Sequence, residues 1–471
     1  MSRPNFTATS PRDTKWAEGL RGIACIFVVT SHLALGYAEW LTQPVRKQYG
    51  TPAFYNGPFI RIFAEGRPWV SMFLLLTGFV NALKPIKLAR AGRVDTALES
   101  LASSCFRRTS RLVLPCTVAT VFVWILCELG GFRIGHMVDA WWMEDTSPLP
   151  SKSVSAALRS LIKAIFDNWK GENHLEKNQW VVHIILEDSL KLYVALLALV
   201  RATPGHRMLC FGALFAYSWI NDDNLSGIPI CGGAILAELS MDSTIIKFSA
   251  SRKIINRVLP FLLFILGLYM YSFPSKRSKW TGWSQTLNEI GTMIFPHGSE
   301  LWASWASTGS LFLLAAVILS EPLQRFLSHP AFLYLGTHSF PIYLIHGPLL
   351  RSFLNWMLYL FVAPVWHQAK EVDHKGHTIT KKWAKYKVPP AWKFIVTLPI
   401  FFTVLLWLAQ LWTAKIEPQC GRLTKWLEDT VCGNEPETPA YQTTLNEFTQ
   451  RKSSESSQSS VLTLNDDILP R

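Results

Sequence analysis

About ten apolar stretches recur along the chain, most of them near the roughly 20 residues a helix needs to cross a bilayer. They begin near Leu20, Trp69, Leu112, Trp180, Met208, Gly227, Val258, Trp302, Ala331 and Trp392. In hydrocarbon no water satisfies backbone N–H and C=O groups, so such stretches have to be helices or a closed barrel. Stretches of this length favour helices. The expected fold is therefore all-α, a polytopic transmembrane helical bundle of about ten spans. Val258–Phe273, Leu301–Leu319 and Trp392–Trp412 are the clearest, whereas Met208–Ile220 and Gly227–Leu239 are short. A chain of 471 residues with 49% hydrophobic and 17% charged residues fits this class rather than a soluble globule. The first stretch contains Arg21 and His32 and ends without a small-residue cleavage pattern, which argues against a signal peptide.

The net charge of +13 would suit nucleic-acid binding, but its distribution points to a membrane. Lys84, Lys87, Arg90, Arg93, Arg107, Arg108 and Arg111 fall between the second and third stretches. Arg201 and Arg207, then Lys247, Arg252, Lys253 and Arg257, mark later even-numbered connections. The positive-inside rule places these segments and both chain ends in the cytosol. Lys276, Arg277 and Lys279, and the run from Lys370 to Lys387, fall on the opposite side against that rule. No nucleic-acid partner is expected; the lipid bilayer is. The eight cysteines contain no C-x-x-C pattern and indicate no zinc site. Three segments result: a cytosolic tail (1–15), a membrane domain (16–434) and a polar, disordered cytosolic tail (435–471) rich in Ser, Gln and Glu. The long connection Gly131–Gln179 carries Trp141, Trp142 and Trp169 and could lie on the membrane surface or cap a cavity.

Within the first stretch, Arg21 and His32 are eleven positions apart, about three turns, so they share a helix face roughly 16 Å apart along the axis. An ionisable residue inside a span is costly and points by default to function. Either residue also has a plainer use: His32 as interhelical packing glue, Arg21 as an edge anchor snorkelling to the interface. Arg107, Arg108 and Arg111 cluster on a helix by their three- and four-residue spacing, suiting phosphate or simple anchoring. Ser339, Tyr343 and His346 are spaced four and three and fall on one stripe, and Pro341 and Pro348 would kink or end the helix there. His183 and Glu187 also meet on one face. Asp373-His374-Lys375-Gly376-His377 has no further ligand in view, and no metal site is expected.

The opening E-G-L-R-G-I-A-C-I-F-V-V-T-S-H, the run A-E-G-R-P-W-V-S-M-F-L-L-L-T-G-F, the basic F-R-R-T-S-R-L-V-L-P and the late L-G-T-H-S-F-P-I-Y-L-I-H-G-P together resemble the membrane acyltransferase-3 superfamily, its fungal branch in particular. The tail I-E-P-Q-C-G-R-L-T-K-W-L-E is a fainter echo. The resemblance covers roughly Glu18 to Glu428. It implies transfer of an acyl group, usually acetyl from acetyl-coenzyme A, to a hydroxylated acceptor, with the thioester as co-substrate and no permanently bound cofactor. On that chemistry His32 is the candidate general base or nucleophile, with Arg21 and Glu187 as its catalytic partners. Arg107, Arg108 and Arg111 would hold the coenzyme A phosphates, and His183, Ser339, Tyr343 and His346 would line the acceptor path. One departure stands in the fourth stretch: Trp180 and Ser189 keep the fungal frame, but Ile185 occupies the position of the family's Glu. His183 and Glu187 could replace that acid, or the chain could be an inactive relative. A proton-coupled transporter is the other alternative, though no inverted repeat is visible.

Overall fold

A computed structural model describes residues 14–48, 50–242, 255–372 and 378–432. The polar tail beyond 434, Lys247 to Lys253 and the His374–His377 stretch lie outside these residues. All ten expected stretches are helical. In chain order the principal helices are α1 (Lys15–Tyr37), α2 (Arg67–Arg90), α3 (Val94–Glu128), α4 (Trp180–Leu199), α5 (Pro204–Ile220), α6 (Gly227–Ser240), α7 (Ile255–Tyr271), α8 (Leu301–Leu319), α9 (Ser339–Leu349) and α10 (Ala391–Cys432). The other helices are named by their residues. Among the described residues, five helices are long and apolar enough to cross a membrane: α1, α2, α3, α8 and α10. The described chain forms a helical bundle up to Gly421, followed by a separate unit from Arg422 that contains the last turns of α10.

Helix α2 is central to the bundle, packing against α1, α3, α4, α6 and α8. Its apolar side chains explain this: Met72, Leu75 and Phe79 are buried with Trp16 of α1, Ile230 of α6 and Leu314 of α8. Small residues bring the backbones together, as expected where lipid tails are as apolar as Leu. A Cβ on Gly233 would sit 2.4 Å from the Leu75 carbonyl oxygen, and one on Gly336 only 2.2 Å from that of Glu18. Helix Pro330–Thr337 lies against α1 through that contact. Hydroxyl pairs add interhelical hydrogen bonds, Ser71 with Ser307 at 3.1 Å and Tyr271 with Ser310 at 2.6 Å.

The basic segment between the second and third stretches is not a loop. Val94–Glu128 is one 35-residue helix, so Arg107, Arg108 and Arg111 ride on the same rod as the apolar segment beyond them. The late apolar stretch is broken instead of continuous. Pro341 sits in the first turn of α9, where a missing N–H costs little, whereas Pro348 lies near its end. A π-helical turn, Leu350–Leu354, follows directly. The charged run near Lys370 is a further difference: Val365–Val372 (β1) and Thr378–Lys385 (β2) form an antiparallel hairpin, with Val365 opposite Lys385 and Val372 opposite Thr378. Its Val, Thr, Ile and Trp residues favour pleated backbone, a signal masked in the sequence by the lysines among them. The backbone of Tyr386 bonds to Met137 and Asp139, tying the hairpin's end to the Gly131–Gln179 connection. That connection carries three helices, Arg133–Met137, Trp141–Thr146 and Val154–Asp167. The last starts at a Ser153 cap and exposes Val154, Leu158, Ile162 and Phe166 at a spacing of four, one apolar stripe.

Candidate active site

Two imidazoles meet between the first and ninth helices. His32 Nδ1 of α1 lies 2.8 Å from His346 Nε2 of α9, with the rings only 4° from parallel. His346 is fully buried, and its Nδ1 lies 3.1 Å from the Ile342 carbonyl oxygen and 2.8 Å from that of Tyr343. Carbonyl oxygens can only accept, so Nδ1 of His346 carries the proton. In the neutral ring Nε2 then holds a lone pair and accepts the N–H of His32 Nδ1. His32 Nε2 is left with its own lone pair and, among the described residues, no partner. A helix backbone thus fixes the tautomer of one histidine and, through it, that of the next. Trp142, from helix Trp141–Thr146, also stacks on His32, at 5.1 Å between centroids and 19° between planes.

Along the same α1 face runs a cavity of about 660 Å³. Arg21, Arg108 and Arg111 line it together with Val28, Phe73, Leu112, Val182, Phe340 and Tyr343. The cationic part includes one guanidinium held in place. Arg108 Nε donates to Ser189 Oγ at 3.2 Å, which steadies the guanidinium, and Ser189 in turn donates to the Ile185 carbonyl oxygen at 2.6 Å. Arg21 pairs only at 3.6 Å with Glu18, and its buried Nε has no partner among the described residues. Val28 and Tyr343 both line the cavity, and each precedes one of the imidazoles, His32 and His346, by about one helical turn. The Tyr343 ring is 6.0 Å from that of His346. His32 and His346 do not themselves line this cavity.

The remaining sequence candidates divide. Ser339 and Tyr343 line the cavity, whereas His346, third on their stripe, turns to His32. Arg107 lies on the exposed side of α3 and does not line the cavity. Glu187 is exposed and pairs with Lys191 at 3.0 Å instead of His183, and neither His183 nor Glu187 lines the cavity. The face explains this: Val181, Val182 and Ile185 turn inward, leaving position 187 outside. His183 instead packs beside Gly171, where an added Cβ would come 2.5 Å from its ring. The carboxylates that do line the cavity are Glu18 and Glu417, and Ile185 presents hydrocarbon there.

Sequence reasoning missed Arg351, although a charged residue inside the late apolar stretch was a visible signal. It follows α9 in the π-helical turn and is completely buried with Glu176 of the Gly131–Gln179 connection. Burial pushes the Glu176 carboxyl above its usual range, opposed chiefly by the Arg351 guanidinium.

A family model described as an acyltransferase domain matches residues 14–414, most of the chain and all of the elements above except the last turns of α10. The chain belongs to the acyltransferase-3 family. This acyltransferase is 26% identical over 406 residues to the O-acetyltransferase PaAT-1 of Phomopsis amygdali, covering 78% of this chain and 80% of that protein. It is 24% identical to acyltransferase R4 of a Phoma species, over 73% of this chain and 84% of the relative. Acyltransferase clz18 of Cochliobolus lunatus is 22% identical, over 72% and 83%. No solved structure matches. With five bilayer-length apolar helices, the enzyme is an integral membrane acyltransferase.

Proposed function

We propose that this acyltransferase moves an acyl group, acetyl in the first instance, from acyl-coenzyme A to a hydroxyl of a small-molecule, lipid or sugar acceptor, with His32 Nε2 as general base. The observation that carries the reading is the imidazole pair, which leaves one basic nitrogen unpaired beside an arginine-lined cavity on the same helix. The phosphates of coenzyme A would sit against Arg21, Arg108 and Arg111, whose planar forks suit them. The apolar part of the cavity takes the uncharged arm, directing the thioester toward Tyr343. In this reading the arginine end faces the cytosol, where acyl-coenzyme A is available.

The chemistry balances without a cofactor. His32 Nε2 takes the proton of the acceptor hydroxyl as its oxygen bonds to the thioester carbonyl carbon. The tetrahedral intermediate collapses, the carbon–sulfur bond breaks, and the proton on His32 passes to the departing thiolate. Products are the ester and free coenzyme A. Because the imidazoles do not line the cavity, the acceptor is proposed to approach from the Trp142 side and the donor from the arginine side. Protein purified in detergent, supplied with acetyl-coenzyme A and a panel of alcohols, should release free thiol only when an acceptor is present. Equal thiol release with and without every alcohol, or none at all, would overturn this reading.

A further inference from the structure

Arg351 sits completely buried in a hydrogen-bond network. Its Nε donates to the Gly347 carbonyl oxygen at 3.1 Å, one Nη to the Thr146 carbonyl, and the other to the Glu176 carboxylate. Its guanidinium also lies 4.9 Å from the centre of the Phe132 ring. Three of these partners belong to the Gly131–Gln179 connection, so one side chain fastens that connection to the segment carrying His346. Burying an ion pair gains little stability over hydrocarbon of similar shape. Its geometric effect is more telling.

From Arg351, contacts lead to the imidazoles in both directions. On one side, Glu176 accepts from the Asn178 backbone N–H at 3.2 Å, and the Asn178 carbonyl accepts from the Tyr343 hydroxyl. Tyr343 in turn supplies a carbonyl that holds His346 Nδ1. On the other side, Thr146 Oγ1 donates to the Trp142 carbonyl at 2.7 Å, and Trp142 stacks on His32. The two paths close at the His32–His346 hydrogen bond. We propose that Arg351 is a positioning residue that sets the His32–His346 pair through this closed ring, holding Trp142 over one imidazole and Tyr343 against the other. The proposal rests on His32 being the general base, but it also predicts a property independent of turnover. A displacement of about 1 Å at a catalytic group can cost ~100-fold in rate. The coenzyme A phosphates, which anchor the donor at the far end of α1, should not register it.

The test uses the full-length protein in detergent. Arg351→Lys keeps the charge but loses the fork; Glu176→Asp keeps charge balance and shortens the opposing arm. Either should lower kcat about 10- to 100-fold with the KM for acetyl-coenzyme A within about twofold. Diethylpyrocarbonate labelling of His32, taken as the difference from the same background carrying His32→Ala, should accelerate several-fold as Trp142 loosens. If kcat holds while labelling accelerates, His32 is not the base and the proposed chemistry fails, while the ring stands. If labelling is unchanged in whichever variant folds, or KM rises with kcat intact, the positioning role is overturned. Failure of Arg351→Lys to fold leaves Glu176→Asp to decide.

Discussion

A histidine tied to two backbone carbonyls has one neutral tautomer, and His346 passes that restriction to its neighbour. His32→Ala should therefore reduce turnover by ~10²–10⁴-fold, the usual contribution of a general base, with unchanged thermal unfolding in detergent. Near-normal kcat would refute the assignment. His346→Phe should cost about 10- to 100-fold, because His32 loses the acceptor that orients it. Arg108→Ala should act on binding, raising the KM for acetyl-coenzyme A about tenfold with kcat little changed, as expected for one charge-assisted contact of roughly 1.4 kcal/mol. Sequence spacing alone brought out Arg21, His32, Arg108 and the Ser339–Tyr343–His346 stripe, because 3.6-residue periodicity survives folding. It could not pair His32 with His346, 314 positions away. Such pairings depend on how two helices rotate about their axes, which an isolated sequence does not encode locally.

At the scale of elements, apolar length and composition made the helices legible, while their interruptions were less so. Prolines marked the broken late stretch correctly as a place of irregular backbone, but the π turn that aims Arg351 has no sequence signature of its own. The hairpin Val365–Lys385 was concealed by its lysines. Close packing of α1 on helix Pro330–Thr337 gives an expected outcome: Gly336→Val should destabilise by about 1–3 kcal/mol, since its Cβ has no room beside the Glu18 backbone. A thermal-shift measurement in detergent checks this, and an unchanged midpoint would mean that the two helices lie farther apart. The exposed Val154, Leu158, Ile162 and Phe166 stripe belongs to the same segment that covers His32. Length and tryptophan content alone are compatible with that segment lying on the membrane surface or capping a cavity. The structure stacks its Trp142 on His32 and leaves the stripe exposed.

At the scale of the whole molecule, the net charge of +13 and its clustering pointed away from nucleic acid and toward a sided membrane protein. In sealed vesicles, acetyl-coenzyme A added on the face that displays Arg111 should support transfer, and the same donor on the other face should not. Equal rates from both sides would contradict the proposed path of the donor. The fixed tautomer of His346 has one further consequence for the membrane itself. Its Nδ1 is already committed to the helix, so a hydrogen ion collected at His32 meets a cul-de-sac in that direction and has to leave from the same nitrogen that took it. Vesicles studded with this enzyme should then hold an imposed pH difference as long as empty ones do, acylating their substrate without discharging the gradient around it.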